Sequence, residues 1–309
     1  GMRAADGTAL PMRAWLPAGE PRAVVLALHG FNDYSRAFER PGRYWRDQGG
    51  IALYAYDQRG FGANRSVGIW PGTAALVADA AGAIRALRAR HAGRPLYLLG
   101  ESMGGAVALA LLAEADAPPV DGAILVAPAV WGWSTMNPFY RAGLWFGAHT
   151  TPWATWTGRG FGRVASDNYS MLLELSRDPL VIKQTRTDAV YGVVELMDRG
   201  LEAAARLAVP SLIVYGERDE IIPRHAARRM LERTDGRARL AVYPRGCHMA
   251  LRDLDAETVY RDVLAWLADA KTALPSGAER EGRQRIAADG GLTGLPPLRC
   301  ELKRPETAG

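Results

Sequence analysis

Four short, almost wholly apolar runs punctuate the first 130 residues: Ala23–Gly30, Ile51–Asp57, Leu96–Leu99 and Asp121–Pro128. Runs of this length suit strands buried on both faces of a mainly parallel sheet. Between them lie segments of helical character, Ser35–Gln48 and the Ala-rich Thr73–His91, stopped by Gly49-Gly50 and Gly93. Ala106–Leu112 continues as a further, apolar helix. Ahead of these, Asp6-Gly7 is a tight-turn signal and Leu10–Leu16 alternates, so the chain is expected to open with a hairpin. The rhythm returns with strands at Ser211–Gly216 and Ala238–Tyr243, a helix at Arg224–Arg233, and an amphipathic closing helix over Asp255–Ala270. Strand and helix alternating at this spacing predict one α/β domain with right-handed crossovers, drawn from residues 1–130 and 208–270.

The rhythm breaks between residues 131 and 207. Helical segments are expected at roughly 170–176, 179–190 and 192–206, but no strand alternates with them. Ten of the chain's 26 aromatic residues fall between Trp131 and Tyr169. An insertion after a sheet strand, rich in large apolar side chains, reads as a helical cap over a site. About half of these aromatics are expected to pack into the core. Residues 271–309 are Gly, Pro and charge, and little regular structure is expected there.

Composition changes this picture little. The 309 residues are 48% hydrophobic and 23% charged, as in a soluble globular protein. The net charge of +5 is nearly all arginine, since Lys183, Lys271 and Lys303 are the only lysines. No basic run or aromatic-interleaved basic stripe is present, so a nucleic-acid partner is not expected. No apolar stretch approaches the roughly 18 residues of a membrane span. Cys247 and Cys300 are too few for a disulfide framework, no Cys/His cluster has zinc spacing, and Cys247 reads as a small buried residue. No metal is expected. A cytoplasmic location is the default. Gly1 before Met2 reads as a tag remnant, which leaves a cell-envelope location open.

Candidate chemistry gathers where strands end. Gly100-Glu101-Ser102-Met103-Gly104 directly follows one strand and directly precedes a helix. A serine on such a sharp turn needs small neighbours, because a Cβ at Gly100 or Gly104 would crowd it. The helix start supplies free N–H groups and a positive dipole end. A serine hydroxyl also needs a base to take its proton and an acid to orient that base. In a parallel sheet these groups converge at the carboxyl ends of the strands. Among the five histidines, only His248 lies in a loop beyond the last strand. His91 ends a helix, His149 lies in the insertion, His225 sits in a first helical turn, and His29 suits a loop-shaping role. The acid is expected in Gly216–Glu220, with Asp219 at the loop's midpoint and Glu217 and Glu220 as alternatives. The backbone N–H groups of Met103 and Phe31 are the expected oxyanion donors, and Gly30 would let the second approach. Phe31, Trp131, Trp133, Trp145 and Phe146 are candidate substrate contacts.

Two further patterns look less informative. Asp57 and Arg59 are expected to pair and brace their loop. Gly158-Arg159-Gly160-Phe161-Gly162 lacks a preceding strand, so it is not read as a phosphate cradle.

Together, His29-Gly30-Phe31, Asp57-Gln58-Arg59-Gly60-Phe61-Gly62, Gly100–Gly105, Gly216–Asp219 and Gly246-Cys247-His248 resemble the α/β-hydrolase superfamily. The bacterial monoacylglycerol lipase/lysophospholipase-like branch, the serine aminopeptidase S33-type hydrolases, looks nearest. The resemblance covers residues 6 to 270. It implies an eight-stranded sheet, a helical cap, and a Ser102–His248–Asp219 triad that needs no cofactor. Glu101 departs from the pattern, since monoacylglycerol lipases usually carry His there. The expected activity is hydrolysis of a carboxylic ester of a medium or long acyl chain through an acyl-serine intermediate, with peripheral contact to a lipid surface in view. An aminopeptidase, acyltransferase or perhydrolase could share the triad. An aminopeptidase would use acidic residues of the cap: Asp167, Glu174, Asp178, Asp188, Glu195 or Asp198. A non-catalytic binding protein on this fold is a further alternative.

Overall fold

The computed structural model describes residues 1–157, 162–280, 282 and 299–303. Two short strands, β1 (Met2–Arg3) and β2 (Ala9–Leu10), open the chain as a hairpin and pair with each other. There follow β3 (Met12–Trp15), β4 (Ala23–Leu28), a 3-10 turn at Ser35–Phe38, α1 (Glu39–Gly49), β5 (Ile51–Tyr56) and α2 (Thr73–Arg90). Next come β6 (Leu96–Glu101), α3 (Met103–Leu112) and β7 (Gly122–Val126). An insertion then holds α4 (Pro138–Thr150), β8 (Thr155–Trp156), α5 (Tyr169–Arg177), β9 (Thr185–Arg186) and α6 (Thr187–Ala203). The chain returns through β10 (Ser211–Gly216), α7 (Arg224–Thr234), β11 (Ala238–Tyr243) and α8 (Ala256–Ala268).

The central sheet runs β11-β10-β7-β6-β4-β5-β3, with only β3 antiparallel to its neighbour. It has seven strands, where eight were expected. Pro11 interrupts the opening segment, so β2 stays in its own hairpin and only Met12–Trp15 reaches β5. Strands β4, β5 and β10 are buried along their whole length, as apolar runs on both faces require. Alternate residues feed two layers. Val24, Leu26 and Leu28 join the layer that holds residues of α2, α3, α6 and α7. Ala23, Val25 and Ala27 join the layer that holds Trp45 of α1 and Val263 and Trp266 of α8.

The insertion departs from expectation in several places: α4 lies where no helix was expected, and β8 and β9 pair where no strand was. Residues 179–186, expected to be helical, are not: the chain runs on from Pro179 to β9, which pairs with β8, and helix begins only at Thr187. Helix α6 buries Ala189, Val193, Val194, Leu196 and Leu201, and its Gly200 lies against Ala106 of α3. The last helix of the insertion is therefore part of the main core.

Cys247 is buried, as expected of a small residue there, and it is joined to Cys300, a bridge the sequence reading did not anticipate. Their Cα atoms stand 5.6 Å apart, within bridging range. Cys300 N–H donates to Glu220 Oε1 at 2.9 Å and Lys303 N–H to Asp167 O at 3.0 Å, so the tail's last described residues return to the sheet's carboxyl end. A separation of 53 residues gave no local signal for this bridge. Most of the expected irregular tail, and residues 158–161 of the Gly-rich pattern, lie outside the described residues.

Candidate active site

Ser102 sits between β6 and α3 with φ 52° and ψ −116°, a conformation that costs a non-glycine residue roughly 1–3 kcal/mol. The surroundings impose it. Ser102 N–H donates to Val126 O at 2.9 Å, and Ser102 O accepts from Gly105 and Ala129 N–H, each at 2.9 Å. A Cβ on Gly100 would run into the Gly104 carbonyl, and one on Gly104 into the Leu28 carbonyl. The turn is therefore closed on both sides by backbone, and the hydroxyl is the group left projecting.

His248 Nε2 lies 3.0 Å from Ser102 Oγ, and its Nδ1 lies 2.9 Å from Asp219 Oδ2. With a neutral ring, Nδ1–H donates to Asp219 and Nε2 accepts from the serine hydroxyl. Asp219 is held in turn, its Oδ1 accepting from Ile221 N–H at 2.7 Å and Ile222 N–H at 3.0 Å. The alternative acids point elsewhere. Glu217 carries an ion pair to Arg224 at 3.8 Å, and Glu220 accepts from Cys300. Burial alone would lower the pKa of His248, but the charge and hydrogen bond of Asp219, with the charge of Glu101, raise it above the ordinary histidine value.

The loop after β4 comes close to the nucleophile: a Cβ built on Gly30 would stand 3.4 Å from Ser102 Cβ. Among the described residues, no hydrogen bond engages the backbone N–H of Phe31 or Met103. Beneath that loop, buried His29 braces the ends of β4 and β5. Its Nδ1–H donates to Gly30 O at 2.8 Å, Nε2 accepts from Gln58 N–H at 2.9 Å, and burial lowers its pKa. Asn32, at φ 65°, donates to Thr185 Oγ1 at 2.7 Å and accepts from Ile182 N–H at 3.0 Å, fastening this loop to the insertion.

Asp57 and Arg59 do not pair. Asp57 accepts from Ser35 N–H and Oγ–H and from Ala63 N–H, whereas Arg59 reaches back to Asp6 at 2.7 Å and across to Asp79 at 2.9 Å. One turn separates two side chains that point to opposite sides of the loop.

The remaining histidines have other roles. His91 lies 2.8 Å from Tyr54 Oη, and exposed His225 lies 3.3 Å from Thr135 O. His149 stacks on Trp145 at 4.3 Å. Among the described residues, no group of three His, Cys, Asp or Glu is placed to hold a metal ion.

The cap aromatics divide otherwise than expected. Of the nine that are described, none is buried. Phe31 packs edge-on against Phe61 and Trp70, and Trp131 is half-buried against the core. Trp133 and Trp145 line an open cleft of about 710 Å³ with Tyr191, Arg141 and Glu195. Phe139 is 86% exposed and Phe146 64%, because α4 buries no residue at all.

Two residues near the site escaped the motif reading. Arg252 is buried and reaches both Asp33 Oδ2 at 2.7 Å and Glu101 Oε2 at 3.0 Å. Arg252 lies four positions after His248 and Asp33 three after Gly30, in stretches whose local pattern is that of any polar loop.

A family model described as serine aminopeptidase, S33, matches residues 19–255. The monoacylglycerol lipase of Mycolicibacterium smegmatis is 24% identical over 280 residues, covering 84% of this chain and 93% of that one. The human monoglyceride lipase is 25% identical over 285 residues, covering 88% and 92%. In fold, the chain is similar to a monoglyceride lipase of Saccharomyces cerevisiae solved with a substrate analog, at TM-score 0.72 and 21% identity over 86% of this chain and 94% of that one.

Proposed function

The chain belongs to the serine aminopeptidase S33 family, and from that premise we propose that it hydrolyses carboxylic esters with Ser102 as nucleophile, His248 as base and Asp219 as the acid that orients it. The observation that carries this is the continuous relay from Asp219 Oδ2 through His248 to Ser102 Oγ, at 2.9 and 3.0 Å. Ser102 Oγ attacks the ester carbonyl while His248 Nε2 takes its proton. The Phe31 and Met103 N–H groups receive the negative charge that develops, and each such donor is worth on the order of 10² to 10³ in rate. Collapse expels the alcohol, which takes the proton from His248, and leaves an acyl-serine. Water, deprotonated by the same histidine, then releases the acid.

The relatives' names favour a monoacylglycerol as the ester. The cap offers little to an aminopeptidase. Asp167 accepts from Leu254 N–H, Asp178 from Tyr34 Oη–H, Asp198 from Ser134, and Asp188 pairs with Arg186. Four of its six acidic candidates are thus already held by protein partners. The outward aromatics of α4 support contact with a lipid surface, from which an acyl chain would reach the site. The Cys247–Cys300 bridge supports work in an oxidising compartment such as the cell envelope.

Hydrolysis of a series of p-nitrophenyl esters and of monoacylglycerol, alongside fluorophosphonate labelling, tests the proposal. Turnover and labelling that both vanish in Ser102→Ala are expected. No turnover of any ester by the wild-type protein would overturn it.

A further inference from the structure

Glu101 immediately precedes the nucleophile in the chain, and its carboxylate is buried beside it. Arg252 meets it. The guanidinium spans two carboxylates, with Nη1 on Asp33 Oδ2 at 2.7 Å and Nη2 on Glu101 Oε2 at 3.0 Å. These three residues come from three separate segments of the chain. Asp33 belongs to the loop that carries the Phe31 N–H, Glu101 ends β6 immediately before Ser102, and Arg252 follows His248. The two outer members are anchored locally: Asp33 Oδ1 accepts from Tyr34 N–H at 2.8 Å, and Arg252 N–H donates to Met249 O at 2.7 Å. Arg252 O also accepts from Asn168 Nδ2–H at 3.0 Å.

Fold stability is a poor explanation for this cluster. Burying ions costs more than their attraction returns unless every polar atom is satisfied, and apolar replacements are often as stable. Here Glu101 Oε1 and Arg252 Nε have no partner among the described residues. Burial and Asp33 raise the pKa of Glu101 while Arg252 lowers it, so the negative charge that Glu101 holds beneath the histidine loop depends on Arg252. A group that becomes a cation during the reaction gains from a carboxylate there.

We propose that Glu101, Arg252 and Asp33 form a buried ion clamp, with Arg252 and Glu101 as positioning residues that keep the His248 loop in register with Ser102 and with the oxyanion loop. The inference rests on the serine-hydrolase reading. Arg252 receives the charge that Glu101 would otherwise bury unpaired. The charged groups acting on His248 are Asp219 from the loop after β10, Glu101 from β6 and Arg252 from its own loop. Glu101 raises the histidine's pKa and Arg252 lowers it, so neutralising Glu101 removes the first effect, leaves the second and lowers the pKa.

The test compares kcat/KM against pH for the wild-type protein, Glu101→Gln and Arg252→Lys on one soluble ester, with melting curves for each. In Glu101→Gln the acid limb should move to lower pH and the plateau should fall about 10- to 100-fold through misplacement of the histidine. Arg252→Lys keeps the charge but loses the fork, so its plateau should fall while its acid limb stays near the wild-type position. An acid limb and plateau unchanged in Glu101→Gln, or full activity in Arg252→Lys, would overturn the clamp. If Glu101→Gln does not fold, the Arg252→Lys plateau decides alone. Fluorophosphonate labelling of the wild type at Ser102 keeps failure of the clamp distinct from failure of the hydrolase reading.

Discussion

Helices α3 and α4 are both dominated by apolar residues, and they live in opposite environments. Nine of the ten residues of α3 are buried, and none of the thirteen of α4 is. The difference is one of side-chain size and place. Helix α3 is built on Gly104, Gly105, Ala106, Ala108 and Ala110, so backbones close in on it from the sheet and from α6. That closeness holds Ser102 in its strained turn. Helix α4 carries Phe139, Tyr140, Trp145 and Phe146, which stay exposed although the core elsewhere buries side chains as large as Trp45 and Trp266. Apolar surface exposed in a block marks contact with something outside the chain. Small residues thus fix the reaction's geometry, and large ones address the surroundings.

If the contrast is right, changes on the α3 side should destroy activity and changes on α4 should alter only access. Ser102→Ala should lower kcat on soluble esters by about 10⁴- to 10⁶-fold with little change in melting temperature. Asp219→Asn should lower it by about 10⁴-fold by favouring the wrong tautomer of His248, while Glu217→Gln should stay near wild type. A large loss in Glu217→Gln would reassign the acid.

The Cys247–Cys300 bridge ties the histidine loop to the tail. Replacing Cys300 by Ser should lower stability by about 2–4 kcal/mol, read from denaturant midpoints under oxidising conditions. Phe139→Ser combined with Phe146→Ser should cut turnover of monoacylglycerol in vesicles by about tenfold through lost apolar burial, yet leave soluble p-nitrophenyl acetate untouched. An equal loss on both substrates would bring α4 into the catalytic geometry and end the contrast.

The gentlest prediction is a displacement rather than a loss. As the base, His248 must be neutral, and its folded pKa is raised, so activity should fall as pH drops through a value above the ordinary ~6.5 of histidine. An acid limb of kcat/KM at or below 6.5 would contradict the environment drawn for it.

Much of this molecule was legible in its chain because the relevant forces are local. Continuous apolar runs specify buried strands whichever neighbours they meet, and the glycines around Ser102 mark a turn that only glycine tolerates. Chain order then placed His248 and Asp219 at successive strand ends. Other features depend on residues distant in sequence. Nothing near Arg59 announces that Asp6 and Asp79, rather than Asp57, will receive it. Nothing near Cys300 points to Cys247. Aromatic density between residues 131 and 169 signalled burial that did not occur among the described residues, because composition says how much apolar surface exists but not whether a cavity awaits it.

The sequence by itself determined the buried strands of the parallel sheet, the elbow and which side chains meet at their carboxyl ends, each through a pattern spanning a few residues. Only the tertiary structure decided what surrounds them. The Glu101–Arg252–Asp33 contact, the cystine at the histidine loop and the outward face of α4 arise where separate loops converge, and burial and charge are settled there by what the converging segments leave unfilled.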